Sequence, residues 1–224
     1  MQIYKVGLPG IAIAPLASKL KSALNNGPAI WFVPGGSNIP LSVAVMDRID
    51  FQLSENLTVA LTDERFGPYD HPDSNWFQLK QAGFNPKNAK VIDVIKPDPL
   101  SPEETTARYA NDLEQALDEA YEVIGQFGMG ADGHIAGILP GTTAADESIN
   151  ATVYSYVSQP FTRITLSFTG IKRVNSAFLM AFGEPKHDQL NKLINQNLPL
   201  SIQPAQIIKQ LSEVFIYNDQ VEGS

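Results

Sequence analysis

Cysteine is absent from the 224 residues, which excludes disulfides, thiolate metal ligands and a cysteine nucleophile together, and is compatible with a reducing compartment. Histidine is scarce: His71, His134 and His187 are the whole supply, and their scatter offers no zinc spacing. Positive charge is also short, with 16 Lys+Arg against 24 Asp+Glu and a net charge of −8. A field of that sign opposes nucleic acid and anionic membrane, so an anionic ligand must be held by local cations. No stretch approaches the roughly eighteen apolar residues of a membrane span. The segment from Met1 to Ala14 faintly mimics a signal peptide, but its single charge is Lys5, and Pro9, Gly10 and Pro15 break the apolar run. The expectation is a soluble cytoplasmic protein with neither nucleic-acid nor membrane partners. The pattern G-x-x-x-x-G-K-[ST] is missing, so no nucleoside triphosphate loop is indicated. Internal repeats and low-complexity tracts are missing too.

What is present is enough apolar material for a full core: 43% of the chain is hydrophobic, and residues 1–224 are read as one domain. Apolar, strand-like runs recur at Ala29 to Val33, Leu57 to Leu61, Val91 to Val94 and Glu122 to Gly125, with later strands at Thr165-Leu166, Ala177 to Phe182 and Val214 to Tyr217. Helical spacing lies between them at Leu41 to Ile49, Glu103 to Tyr121, Lys186 to Asn195 and Pro204 to Leu211. This alternation predicts an α/β layered sheet. The proline-rich tract Ile95 to Pro102 is the strongest linker candidate, but reads better as a loop into a helix capped by Ser101 with Pro102 in its first turn.

In open α/β sheets, ligands bind beyond the carboxyl ends of the strands, so the residues after each strand carry the information. After Phe127 comes Gly128-Met129-Gly130-Ala131-Asp132-Gly133-His134, a glycine turn bearing a carboxylate and an imidazole, followed by an apolar stretch expected to form a short helical turn. It formally matches the dinucleotide pattern G-x-G-x-x-G, yet Pro140-Gly141 ends any helix early, and no second strand with an acidic residue about twenty positions on follows. After Val33 comes Pro34-Gly35-Gly36-Ser37-Asn38, which is either a phosphate-holding loop at a helix start or a plain turn. After Leu61 come Thr62-Asp63-Glu64-Arg65 and then Asp73-Ser74-Asn75. The first cluster is a candidate ligand contact or a structural ion pair, and the second a candidate contact or an Asx turn with a helix cap. Arg65, Arg163 and Lys186 are the cations to aim at phosphate, against the alternative of solvated surface charge. His71 and His187 have no partner at ligand spacing and read as surface residues.

Taken in this order, Pro34-Gly35-Gly36-Ser37, Thr62-Asp63-Glu64-Arg65 with Ser74-Asn75, Gly128 to Ala136 with Pro140-Gly141, Arg163 to Leu166, and Gly183-Glu184-Pro185-Lys186 resemble the 6-phosphogluconolactonases. These form the lactonase branch of a superfamily that also contains the glucosamine-6-phosphate deaminases. The resemblance runs nearly end to end, and its Asp-Gly-His segment is highly specific. It implies a Rossmann-like three-layer α/β/α fold with a mostly parallel sheet. It also implies hydrolysis of 6-phosphoglucono-1,5-lactone to 6-phosphogluconate in the oxidative pentose phosphate pathway, without a metal or cofactor. His134 then matches the catalytic histidine, acting as general base, and Asp132 orients its ring. Gly35, Gly36, Ser37, Asp63, Glu64, Arg65, Ser74, Asn75, Gly130, Arg163 and Lys186 become candidate substrate contacts, with loop amides or a nearby cation facing the oxyanion. The sugar phosphate is the expected partner of a monomer or homodimer.

Two departures stand out. The first loop reads Gly-Gly-Ser-Asn-Ile-Pro where the family usually has Gly-Gly-Ser-Thr-Pro, and Ile135-Ala136-Gly137-Ile138-Leu139-Pro140 replaces Thr-Ala-Ser-Leu-Phe-Pro. The rival function is glucosamine-6-phosphate deamination. Deaminases, however, resemble one another in an Ala-Phe-Asn-Glu-Pro segment after Asp-Gly-His and in Asp-Glu-Tyr where this chain has Asp63-Glu64-Arg65. A third alternative is a sugar-phosphate-binding protein without turnover.

Overall fold

The computed structural model describes residues 1–98 and 100–222. Pro99 of the expected 95–102 loop and residues 223–224 of the expected domain lie outside the described residues. In chain order the elements are β1 (Gln2–Lys5), α1 (Ile13–Asn26), β2 (Ala29–Val33), α2 (Ile39–Asp47), α3 (Phe51–Ser54), β3 (Leu57–Leu61), β4 (Asp63–Phe66), α4 (Asn75–Gln81) and β5 (Lys90–Ile92). They continue with α5 (Pro102–Glu119), β6 (Glu122–Phe127), β7 (Val153–Ser158), β8 (Phe161–Leu166), α6 (Phe168–Ile171), β9 (Ser176–Ala181), α7 (His187–Asn195) and β10 (Glu213–Asn218).

Seven strands form one sheet in the order β1-β10-β9-β6-β2-β3-β5, every neighbouring pair parallel. The expected layered α/β fold with a parallel sheet is therefore observed. From β1 to β2, β2 to β3 and β3 to β5 the chain steps toward one edge of the sheet. From β5 to β6, β6 to β9 and β9 to β10 it steps toward the other. Because such crossovers are right-handed, the reversal puts the early and late helices on opposite faces and leaves a crevice between β2 and β6. The packing agrees: α1 lies against α2 and α3, whereas α5 lies against β7 and β8. Central strands covered on both faces must be apolar throughout, as β2 is, with Trp31, Phe32 and Val33 fully buried.

The proline and glycine breaks near the N-terminus mark β1 and a 3-10 turn, Pro9–Ala12, and Pro15 sits in the first turn of α1, where its missing N–H is tolerated. Ser101 caps α5 as expected: its hydroxyl accepts from the Glu104 N–H while the Glu104 carboxylate accepts from the Ser101 N–H. Among the described residues, no helix is long and apolar enough to cross a membrane.

The sequence reading missed a second sheet. β4, β8 and β7 form a three-stranded antiparallel layer, with Asp63 opposite Thr165 and Arg65 opposite Arg163. Asp63-Glu64-Arg65, read as a loop cluster, is thus a strand. A second correction concerns the stretch after His134, where isolated bridges join Met129 to Ile135 and Ile135 to Ile138 in place of a helical turn. Ala136 has φ +51°, a left-handed conformation that reverses the chain and ends any right-handed helix.

Candidate active site

A cavity of about 250 Å³ opens at the crevice between β2 and β6, bounded by the strand-end loops of the large sheet and by the small sheet. Residues Pro34 to Asn38 follow β2 into a 3-10 turn, Gly36–Asn38, and then α2, whose start has no side-chain cap. The reason lies with Asn38. Its buried amide reaches across the crevice to donate to the Phe127 carbonyl at 3.4 Å and the Met180 carbonyl at 3.2 Å, tying the first loop to the ends of β6 and β9. The amides that open the helix are left to meet an anion.

The catalytic-type loop after β6 closes on itself. The Gly130 N–H donates to the His134 carbonyl at 3.1 Å, the Gly133 N–H donates to the Gly130 carbonyl at 3.0 Å, and the Ala205 N–H holds the Gly133 carbonyl from outside at 3.1 Å. A Cβ on Gly130 would collide with both the His134 ring and the Asp132 carboxylate, so glycine is required there by close approach. His134 Nδ1 lies 2.6 Å from Asp132 Oδ1, and the same oxygen accepts the His134 backbone N–H at 3.1 Å. These bonds hold the Asp132 carboxyl well below the usual range, at about 2. An ionised carboxylate can only accept, so Nδ1 carries the proton of this pair, and in the neutral tautomer that leaves Nε2 as the acceptor.

The facing wall is one side of the small sheet. Side chains alternate along a strand and directly opposed residues share a face. The register therefore gathers Asp63 and Arg65 of β4, Arg163 and Thr165 of β8, and Tyr154 and Tyr156 of β7 on one side. Arg65 donates from Nη1 to the Asp73 carbonyl at 2.9 Å and lies 5.8 Å over the Phe161 ring. Arg163 has its Nη1 3.9 Å from Asp63 Oδ2. Among the described residues, the Nε of each arginine is buried without a partner. Two guanidinium groups directly opposite one another are unfavourable unless an anion sits between them. In a chain of net charge −8 the pair is a specific feature of this wall.

Lys186 approaches from the turn after β9, with Nζ 3.4 Å from Ser37 Oγ. Burial pushes its pKa below the ordinary lysine value, partly opposed by Asp219.

Of the residues singled out by sequence, Gly35, Gly36, Ser37, Asp63, Arg65, Asn75, Gly130, His134, Arg163 and Lys186 line this cavity, and Asp132 touches it through His134. Glu64 and Ser74 do not, and the reading of them as substrate contacts is corrected. Alternation turns Glu64 to the opposite face of β4, where its carboxylate accepts the N–H groups of Arg65 (2.7 Å), Asn75 (2.6 Å) and Trp76 (3.0 Å) and the Ser74 hydroxyl (2.8 Å). Burial pushes the Glu64 carboxyl up and these bonds pull it back. Ser74 caps α4 by accepting from the Phe77 N–H at 3.1 Å. Asn75, delivered by that capped turn, donates to the Asp63 carbonyl at 2.8 Å and has a buried Oδ1 without a partner among the described residues. His187 is exposed as expected, and His71 is half-buried beside the Arg65 carbonyl at 2.8 Å.

Asn38, Thr62, Met129 and Ala136 lie in the loops read from sequence but were not singled out as substrate contacts, and all four line the cavity. Recognising Asp63 to Phe66 as a strand would have separated Arg65 from Glu64 by period two alone. Among the described residues, no group of three or more His, Asp or Glu side chains is arranged to hold a metal ion.

A parallel sheet with a reversal in strand order and an anion-receptive cavity outside that reversal defines the doubly wound α/β class of ligand-binding proteins. The chain belongs to the family described as glucosamine-6-phosphate isomerases/6-phosphogluconolactonase, whose model matches residues 11–216. It is 29% identical over 191 residues to a 6-phosphogluconolactonase of Helicobacter pylori strain J99, covering 80% of each chain. It is 31% identical over 166 residues to that of strain 26695, covering 70% of each. Its backbone is similar to the crystal structure of 6-phosphogluconolactonase from Thermotoga maritima, with TM-score 0.79 at 19% identity over 97% of this chain and 98% of that one. A monomeric glucosamine-6-phosphate deaminase superposes with TM-score 0.78 at 17% identity, covering 97% of each chain. The fold is common to both branches, so the branch must be read from the site.

Proposed function

We propose that this protein hydrolyses 6-phosphoglucono-1,5-lactone to 6-phosphogluconate, with His134 as general base. The observation that carries the reading is the His134–Asp132 pair, 2.6 Å apart, on a cavity that also holds Arg65, Arg163 and Lys186. An uncharged ester carbonyl needs an activated water, and a neutral imidazole with Nε2 free is suited to remove the water's proton. Asp132 stabilises the imidazolium that forms. The tetrahedral intermediate then collapses, the C1–O5 bond breaks, and the ring oxygen takes the proton from His134, leaving a hydroxyl and an open-chain carboxylic acid that releases its proton to solvent as the carboxylate. Arg65, Arg163, Lys186 and the amides of Gly35 to Ser37 supply the positive potential for the phosphate, and Asp63 and Asn75 offer acceptors for sugar hydroxyls. One continuous buried core, from Ala12 to Tyr217, supports reading the chain as a single domain.

The test is the disappearance of freshly generated lactone at neutral pH with wild type, with His134→Ala and without enzyme, spontaneous hydrolysis being subtracted. Acceleration by wild type alone supports reaction and base together. Coincidence of all three rates removes the reading, and ammonia release from glucosamine 6-phosphate then examines the deaminase branch.

A further inference from the structure

We propose that Thr165 and Tyr156, outside the reacting groups, are positioning residues that hold His134 through the peptide of Gly137. This rests on the lactonase reading for its kinetic consequence, but the geometry stands apart from it. The chain reverses two residues beyond His134 at Ala136, whose φ of +51° is a conformation that a non-glycine residue keeps only when its surroundings enforce it. The enforcement comes from the small sheet. The Gly137 N–H donates to Thr165 Oγ1 at 2.9 Å, and the Gly137 carbonyl accepts from the Tyr156 hydroxyl at 2.7 Å.

Thr165 is fully buried and Tyr156 nearly so. The Thr165 hydroxyl spends its own proton on the Leu166 carbonyl at 3.0 Å, which leaves a lone pair aimed at Gly137. The approach is close: a Cβ on Gly137 would lie 2.9 Å from the Thr165 Cβ and 3.0 Å from the Asp63 Cβ. His134 is therefore strung between two fixed points, the Gly133 carbonyl held by Ala205 and the Gly137 peptide held from both ends by the small sheet. Both clamping side chains stand on the same face as Arg65 and Arg163. One rigid layer thus sets the cations and, through Gly137, the base, so that their spacing is fixed in a single element.

The experiment compares Thr165→Val, Thr165→Ser and Tyr156→Phe in the full chain by kinetics and by nitrogen-15 NMR of the imidazoles. His134→Ala identifies the ring signals, and His71 and His187 serve as internal references. Thr165→Val and Tyr156→Phe are expected to move the His134 ring resonances away from those of the Asp132-paired ring. They should also lower kcat by roughly ten- to a hundredfold with little change in KM, as displacement of a catalytic group does. Thr165→Ser, which keeps the hydroxyl, should restore both. Unchanged His134 resonances and kcat in both hydroxyl-deleting variants, with only thermal stability reduced, would overturn the clamp. Should Thr165→Val fail to fold, Tyr156→Phe decides by the same criteria. If the wild type lacks lactone turnover, the functional reading falls while the ring resonances still decide the clamp.

Discussion

The two sheets contribute to the cavity in different currencies. The large parallel sheet offers main chain and turn-borne side chains: the turns after β2 and β6 present glycine peptides and the start of α2, and its cation, Lys186, comes from a turn, as His134 and Asp132 do. The small antiparallel sheet offers side chains from within its strands, with Asp63, Arg65 and Arg163 on one face. A strand fixes both the spacing and the direction of what it carries, whereas a turn fixes mainly the approach of its peptides. Anion-receptive amides thus belong to a scaffold common to many α/β proteins. The two arginines that would distinguish this chain's ligand stand on the layer that sequence reasoning overlooked.

Four perturbations break or sharpen that contrast, from the largest expected effect to the smallest. His134→Ala, on the large sheet's loop, should lower kcat by about 10²- to 10⁴-fold, the usual range for loss of a positioned general base, measured against the spontaneous rate. Arg163→Met, on the small sheet, should act mainly on ground-state binding: KM should rise by about ten- to a hundredfold, the equivalent of one charge-assisted contact, in steady-state titrations. A fall in kcat with unchanged KM would mean that the arginine serves the transition state instead. Glu64→Gln, one residue from Arg65 but on the opposite face, should leave KM close to wild type. It should cost roughly 1–3 kcal/mol of stability through broken N–H contacts, which thermal denaturation would register as a lower Tm.

The smallest effect concerns Lys186. Its pKa is lowered by burial, so it loses its proton at a lower pH than an ordinary lysine. Substrate affinity should therefore weaken as pH rises through a value below 10.5. The rise in KM should be absent from Lys186→Arg, whose guanidinium keeps its proton throughout.

Six strands of the parallel sheet were legible because they are short, largely apolar and separated by helical spacing, as in Ala29 to Val33 and Leu57 to Leu61, whereas the mostly exposed edge strand β1 was not read. The Asp-Gly-His loop was legible because its residue types are rare in combination. The small sheet was not, because β4 is four residues long, mostly polar, and paired with a strand about a hundred positions later, so no local pattern announces it. Glu64 was assigned to the pocket for the same reason: proximity in sequence to Arg65 was taken for proximity in space, and only strand geometry separates them. Asn38, at one of the departures from the family pattern, was passed over because its partners, the Phe127 and Met180 carbonyls, belong to strands distant in the chain.

The alternation along β4 also fixes where the gene can tolerate a change of length. A single codon inserted between Thr62 and Asp63, with the pairing to β8 kept, would move the side chains of β4 to the other face. Glu64 would then take the place of Arg65 on the cavity face, exchanging a cation for a carboxylate at the ligand, while the shorter Asp63 would take the place of Glu64 beside the start of α4. The same codon added a few positions later, in the exposed turn around Asp70, would be absorbed by a loop with no sheet register to keep.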